Sequence, residues 1–334
     1  MNKIRTAVVG AGKMGAIHAK VYHNLPDSEL AAIVDSDEQI AKKLAKKYKC
    51  SAFTDCSQLP GRVEAVTISA PTVCHFELAR FFIENKIAVM IEKPLAANIT
   101  EAEEIVELAK KYQTVVAVGH SERCNPVVQA MKRLDIEPKF IEANRISPYP
   151  FRSTDIGVVL DVMIHDIDII LSLAASKIKK IDAVGINVLE DREDICNARI
   201  VFENGCIANI TASRLALKTE RKVRVFSRQA YLSLDYLEKK GTVIKAAPNV
   251  DIAEKVRQLK KGSKIDLLKV NWPDLLHIEK LDIDDKEPLR VEQESFLKAV
   301  IDRELTPEVS AEEGLAAMQC AEMILTSVRE HSWD

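Results

Sequence analysis

Two short stretches of this chain carry side chains suited to drawing a proton from a hydroxyl group. Asp161, His165 and Asp168 stand at i, i+4 and i+7, a spacing that puts all three on one face of a helix. An acid one turn before a histidine can fix the imidazole's tautomer and orientation, as a general base requires. Standing alone, the same spacing equally describes a narrow polar stripe turned to solvent. The second stretch is Glu92-Lys93-Pro94, directly after the apolar run Ala88 to Ile91. A lysine at a strand's carboxyl end, held between an acid and a proline, is placed by rigid backbone, the competing reading being a surface lysine in a turn. Lys93–Pro94 is also a candidate cis peptide bond.

A third stretch points to a cofactor. In VVGAGKMG, Val8 to Gly15, three glycines stand between an apolar run, Ile4 to Val9, and a helical pattern, Met14 to His23. In that context Gly10 permits a tight turn and Gly12 lets a pyrophosphate approach bare backbone. Gly15 brings the helix close to the strand, and the helix N-terminus offers unpaired N–H groups to an anion. The next strand-like run, Leu30 to Val34, ends in Asp35, twenty residues after Gly15. An acid there can bond both ribose hydroxyls and repels a 2′-phosphate, and no Arg or Lys at positions 36 to 39 compensates. NAD is expected in preference to NADP.

These residues need a scaffold, and the pattern supplies one. From Lys3 to Gly119 the strand-like runs Ile4 to Val9, Leu30 to Val34, Ala65 to Ser69, Ala88 to Ile91 and Val115 to Val118 alternate with helical periodicity. That is an α/β fold with a parallel sheet covered on both faces, whose ligands lie beyond the strands' carboxyl ends. APTVCH, Ala70 to His75, follows the third run, with Pro71 ending the strand, Thr72 as a helix cap and His75 in the helix's first turn. GHSERCNP, Gly119 to Pro126, leaves the last run with Asn125 and Pro126 as cap and first helical residue, and the domain boundary is expected here. His120 and Arg123 fall at the mouth of the sheet.

The expected domains are therefore 1–120 and 121–334. In the second, a strand-like Lys139 to Ile146 precedes a helix over Val158 to Ala174. The runs Ile178 to Val188, Ala198 to Phe202, Cys206 to Ala212, Lys222 to Phe226 and Ala230 to Leu234 then alternate, with turns such as Glu203-Asn204-Gly205, as in a large, mostly antiparallel open sheet. Its free face is expected to seat a second copy, as a homodimer or homotetramer. Lys239 to Lys269 reads as a solvated excursion, and helices over Val291 to Asp302 and Ala311 to Glu330 close the chain.

With 334 residues the chain is long enough for two cores. A net charge of -3 argues against a nucleic-acid or membrane footprint, which needs a clustered positive field. No basic leader with an apolar core and no run approaching eighteen apolar residues is present, so the cytoplasm is the expected compartment. Seven cysteines without a C-x-x-C pair suggest neither a disulfide framework nor a zinc site, and no metal is expected.

Oxidising a secondary alcohol with NAD needs a base for the hydroxyl proton, a positive charge for the developing alkoxide and a fixed geometry. His165 can be the base, oriented by Asp161, and Lys93 the charge. Together, GAGKMG, Asp35, APTVCH, EKP and the Asp161-x-x-x-His165 helix leading into an antiparallel sheet resemble the Gfo/Idh/MocA family of glucose-fructose and inositol oxidoreductases. The resemblance covers essentially the whole chain. It implies an N-terminal Rossmann domain, a C-terminal α/β domain and a sugar-like substrate bound between them. By position it makes Lys93, Asp161 and His165 the catalytic trio. Gly10, Gly12, Lys13, Met14, Gly15, Asp35, Ala70, His75, Glu92 and Lys93 become the cofactor contacts.

Within the family, GHSERCNP and VVLDVMIHDIDII resemble the subgroup that oxidises UDP-N-acetylglucosamine at the 3-hydroxyl. Cys124 departs from the usual aromatic, and Met163 from a frequent glycine. A UDP-sugar needs partners for its diphosphate, and Arg145, Arg152 and Arg214 are the candidates, each equally readable as an ordinary surface or sheet-edge arginine, with Arg123 a further substrate candidate. Two alternatives stand beside this reading: a dehydrogenase of a free polyol such as an inositol, and a non-catalytic NAD-binding sensor.

Overall fold

The computed structural model describes residues 3–149, 156–189, 191–246 and 275–331. They form two compact units, one of Met1–Asn125 with Lys286–Glu322, the other of Pro126–Asp285 with Met323–Asp334. The break at Asn125 lies inside the expected boundary stretch. The return of Lys286–Glu322 to the first unit does not match an undivided second domain from 121 to 334.

In the first unit, strands β1 (Ile4–Val9), β2 (Ser28–Val34), β3 (Ser51–Phe53), β4 (Ala65–Ile68), β5 (Ala88–Glu92) and β6 (Val116–Gly119) pair in parallel in the order β3-β2-β1-β4-β5-β6. This is the doubly wound order whose direction reverses beside β1. Helices α1 (Lys13–Asn24), α2 (Glu38–Tyr48), α3 (His75–Glu84) and α4 (Ile99–Tyr112) are the crossovers. β4 is buried along its whole length, as are the first four residues of β5, which is why these strands read as continuous apolar runs. α2 and α4 start on Asp37 and Asn98, whose side chains accept backbone N–H groups of the first turn. By contrast, Thr72 opens a short 3-10 turn and does not cap α3, which begins at His75.

In the second unit, β7 (Phe140–Ile146), β8 (Ile178–Ile186), β9 (Ile195–Phe202), β10 (Ile207–Ser213), β11 (Glu220–Phe226), β12 (Ala230–Asp235), β13 (Lys240–Ala246) and β14 (Leu276–Lys280) form one sheet, ordered β14-β13-β12-β11-β7-β10-β9-β8. Only β7 and β10 pair in parallel. Along β9 the buried residues Cys196, Ala198, Ile200 and Phe202 alternate with more exposed ones, so one face of the sheet makes the core. Helices α5 (Pro126–Lys132) and α6 (Ile164–Ala174) belong to this unit. β13 corrects the reading of Lys239 onward as a solvated excursion: Gly241 and Val243 face inward while lysines occupy the flanks. The rest of that stretch, 247–269, lies outside the described residues, as does Arg152. Helices α7 (Pro288–Ile301) and α8 (Ala311–Glu330) close the chain.

Candidate active site

At the end of β1, Gly10 has φ +91°, and a side chain there would meet the Ser69 carbonyl oxygen at 2.6 Å. Gly15 is as constrained, since a Cβ would lie 1.8 Å from the Gly10 oxygen, which also accepts the Ser69 hydroxyl at 2.8 Å. Gly12 is different, because a Cβ there would meet nothing within 4 Å. It caps α1 without any side-chain hydrogen bond, and no acidic residue stands in the first turn. Open backbone and uncapped N–H groups at a helix start suit a dinucleotide's pyrophosphate. Asp35, at the end of β2, accepts the Ala11 N–H at 2.7 Å and the Asp37 N–H at 2.9 Å, which pins the acid beside the glycine loop. Lys13 and Met14 lie exposed on the same turn.

β5 delivers Glu92 and then Lys93, and the Lys93–Pro94 peptide is cis. Burial pushes the Glu92 carboxyl up, but the hydrogen bond from His18 and the charge of Lys93 outweigh it and hold the group below the usual carboxylate range. His18 is fully buried on α1. His75 is also buried, at 1% exposure, with Nδ1 2.9 Å from the Pro94 carbonyl oxygen and Nε2 3.0 Å from that of Ala70. The alternative of an exposed histidine is thereby removed. Gly10, Gly12, Asp35, Ala70, His75, Glu92 and Lys93 thus gather at the carboxyl ends of β1, β2, β4 and β5.

In the second unit, the expected single helix over Val158 to Ala174 is two pieces. Val159–Met163 is a π turn, closed by the Ile164 N–H on the Val159 carbonyl, and α6 follows. Asp161 lies inside the wide turn and His165 just after it, so their relation departs from ideal α spacing; such bulges recur at functional sites. Asp161 and His165 are half-buried, whereas Asp168 is 1% exposed, so the three do not form a solvated stripe. Glu193 holds the entry: its Oε1 accepts the Val159 N–H at 3.1 Å and its backbone oxygen the Val158 N–H at 2.9 Å. A side chain at Gly157 would collide with that carboxylate at 2.0 Å. Met163 is wholly buried, and Cys124 likewise in the first unit, so neither departure from the family pattern projects into solvent.

Among the described residues, three of the expected substrate arginines make ion pairs of their own. Arg145 makes a two-pronged, buried pair with Asp166, Nε to Oδ2 at 2.8 Å and Nη2 to Oδ1 at 2.9 Å. Arg214 donates Nε to Asp194 at 2.7 Å and Nη1 to the Ile156 carbonyl at 2.9 Å, at 1% exposure. Arg123, buried as well, donates to Glu313 at 2.9 Å within the first unit. Each of the three holds framework together because a desolvated guanidinium needs a carboxylate close by. Asp166, Glu193, Asp194, His18 and Gln293 escaped the sequence reading. Asp166 and His18 did sit beside motif residues, while the others gave no signal, since their partners are distant in sequence.

A glycine-turned strand-to-helix start in a doubly wound sheet, with an acid after the second strand, defines an NAD-binding oxidoreductase fold. Residues 4–120 match the family model described as "Oxidoreductase family, NAD-binding Rossmann fold", and residues 140–233 match the GFO/IDH/MocA C-terminal domain. The chain belongs to the GFO/IDH/MocA family of oxidoreductases, enzymes acting on CH–OH groups with a nicotinamide cofactor. It is 34% identical over 238 residues, 71% of this chain and 75% of the relative, to the UDP-N-acetylglucosamine 3-dehydrogenase of Acidithiobacillus ferrooxidans. The solved structure of UDP-N-acetylglucosamine 3-dehydrogenase GnnA from that organism superposes with a TM-score of 0.86 at 28% identity, covering 99% of both chains. The myo-inositol 2-dehydrogenase of Thermotoga maritima is 26% identical over 72% of this chain and 78% of its own.

Proposed function

We propose that this enzyme oxidises the 3-hydroxyl of UDP-N-acetylglucosamine to the 3-keto sugar, with NAD as hydride acceptor. The observation that carries the reading is the 34% identity to a UDP-N-acetylglucosamine 3-dehydrogenase across 71% of the chain. The backbone at Gly10 and Gly12 with the uncapped start of α1 would hold the pyrophosphate, and Asp35 the ribose hydroxyls. Ala70, Glu92 and Lys93 would line the nicotinamide end. When bound, NAD supplies the ring that takes the hydride from the carbinol carbon. Lys93 offsets the alkoxide's negative charge, His165 takes the hydroxyl proton, and Asp161 orients His165. Asp35 also disfavours a 2′-phosphate, which supports NAD over NADP.

A second reading, oxidation of a free polyol of the inositol type, is favoured by one observation: Arg123, Arg145 and Arg214 are committed to carboxylates of their own units and leave the diphosphate argument without them. The test is NADH formation, read by near-ultraviolet absorbance, with UDP-N-acetylglucosamine, its uronic acid, UDP-glucose and myo-inositol, using a PLP aminotransferase and glutamate as ketone trap. NADH with UDP-N-acetylglucosamine alone supports the first reading; NADH with inositol alone replaces it by the second. Lys93→Met and His165→Asn should each lower kcat by about 10² to 10⁴.

The outer face of the eight-stranded sheet is proposed to seat a second copy. Val184, Ile186 and Ile278 are exposed on β8 and β14, and the rings of Phe226 and Tyr231 stack outward with centroids 4.8 Å apart.

A further inference from the structure

Lys93 has a neighbour on each side, and a buried histidine reaches each. Before it, Glu92 Oε1 lies 2.6 Å from Nε2 of His18, which belongs to α1 and is fully buried. After it, the Pro94 carbonyl oxygen lies 2.9 Å from Nδ1 of His75, the first residue of α3, whose Nε2 faces the Ala70 carbonyl oxygen at 3.0 Å. His75 therefore stands between the turn after β5 and the segment after β4, and as a neutral imidazole it donates to one of these two carbonyls at a time.

His18 is itself held from behind. The amide Nε2 of Gln293, on α7, donates to His18 Nδ1 at 2.8 Å and lies 3.4 Å from the His18 carbonyl oxygen. A donor facing Nδ1 makes that nitrogen the acceptor, so Nε2 carries the proton and points it at Glu92. Gly119 leaves room for this pair, since a Cβ there would meet the Glu92 Cα and Cδ at 3.2 Å and the same Oε1 at 3.3 Å.

We propose that His18 and His75 are positioning residues for Lys93, each gripping one flank of the Glu92-Lys93-Pro94 turn so that the lysine is presented in a single geometry. The proposal rests on the reading that Lys93 supplies the charge for the developing alkoxide. It also reassigns His75, whose Nδ1 faces the turn at Pro94 and whose Nε2 faces Ala70, from cofactor contact to clamp. Gln293 acts one step further out, through His18. A general acid–base site tolerates little displacement, because the reacting groups must stay within hydrogen-bond reach.

The test compares donor-retaining with donor-free variants. Gln at position 18 keeps an N–H where His18 Nε2 stands, and Asn at position 75 keeps one where His75 Nδ1 stands, whereas Leu at either position keeps none. Two readouts are taken on the full chain with NAD present: turnover with UDP-N-acetylglucosamine, and the rate at which acetic anhydride acylates Lys93, followed by mass spectrometry. His18→Leu and His75→Leu should lower kcat at least tenfold with KM for NAD changed less than threefold, and should change Lys93 acylation at least threefold. His18→Gln and His75→Asn should stay within threefold of the parent on both. A merely structural role would lower Tm in all four without this split, and equal behaviour of the Gln/Asn and Leu variants overturns the proposal. Should a Leu variant not fold, Gln293→Leu loosens His18 from behind and should move Lys93 acylation in the same sense; unchanged acylation there overturns the His18 half. If the parent does not turn over UDP-N-acetylglucosamine, the substrate reading fails, and the acylation pattern still decides this one.

Discussion

Replacing Gly15 by alanine separates what the glycine loop does for folding from what it does for binding. An added Cβ would sit 1.8 Å from the Gly10 carbonyl oxygen and 2.8 Å from the Ser69 hydroxyl. To restore even 3.0 Å the start of α1 must retreat by about 1.2 Å, and the obstacle is backbone that cannot rotate away. Overpacking of this kind costs about 1–3 kcal/mol, with the rigid carbonyl placing the case at the upper end. Alanine's better helix propensity returns about 1 kcal/mol. The net loss is about 2 kcal/mol, which for a unit of this size lowers Tm by about 4–8 °C. Gly12→Ala is the control: a Cβ there meets nothing within 4 Å, so Tm should fall by no more than a few degrees while NAD affinity drops at least tenfold. Scanning calorimetry without NAD and a fluorescence titration with NAD measure the two effects. A Gly15→Ala protein as stable as the parent, or a Gly12→Ala protein with unchanged NAD affinity, would refute this account of the loop.

Three further outcomes are expected. Asp166→Ala should destabilise the second unit by about 3–5 kcal/mol, because Arg145 stays buried without its two-pronged partner; urea unfolding checks this, and a change below about 1 kcal/mol would show that Arg145 finds other company. Burial pushes the Asp194 carboxyl up, but the Leu189 and Val188 amides and Arg214 more than offset it and hold the group below its ordinary value. Its contribution is therefore complete above the unfolded pKa of about 3.9 and disappears as pH falls through the folded value, so the Asp194→Asn deficit should be full at neutral pH and shrink in acid; a deficit independent of pH would contradict the assignment. Phe226→Glu should leave the fold intact and dissociate the proposed oligomer, read by light scattering, because it places a charge in the outward Phe226–Tyr231 ring pair; an oligomer of unaltered mass, or a monomeric parent, would overturn this interface.

Legibility in the sequence followed the range over which each contact acts. The glycine loop, Asp35 and Lys93 were readable because their constraints are local: a turn, a strand end, a proline. The alternation along β9 and β10 likewise announces a sheet with one buried face, whereas β13 was misread because only Gly241 and Val243 break a lysine-rich surface. The π turn left no trace, since inserting one residue into a helical turn changes a hydrogen-bond pattern and not a composition. Arg145 and Arg214 were open to both readings, diphosphate partner or ordinary sheet-edge residue, because nothing in the chain shows that Asp166 and Asp194 lie within 3 Å of them.

The return of α7 to the first unit joins the fold to the chemistry. Phe296 and Leu297 on this helix enter the same core as Val8, Ile33 and Met90, although nearly the whole second unit intervenes in sequence. That packing brings Gln293 against His18 across 275 positions, and His18 is what holds Glu92 beside Lys93. The Gln293 amide nitrogen donates to His18 Nδ1, which leaves Nε2 of the imidazole to donate to Glu92. The far end of the chain thus sets the hydrogen bond that flanks the lysine at the end of β5.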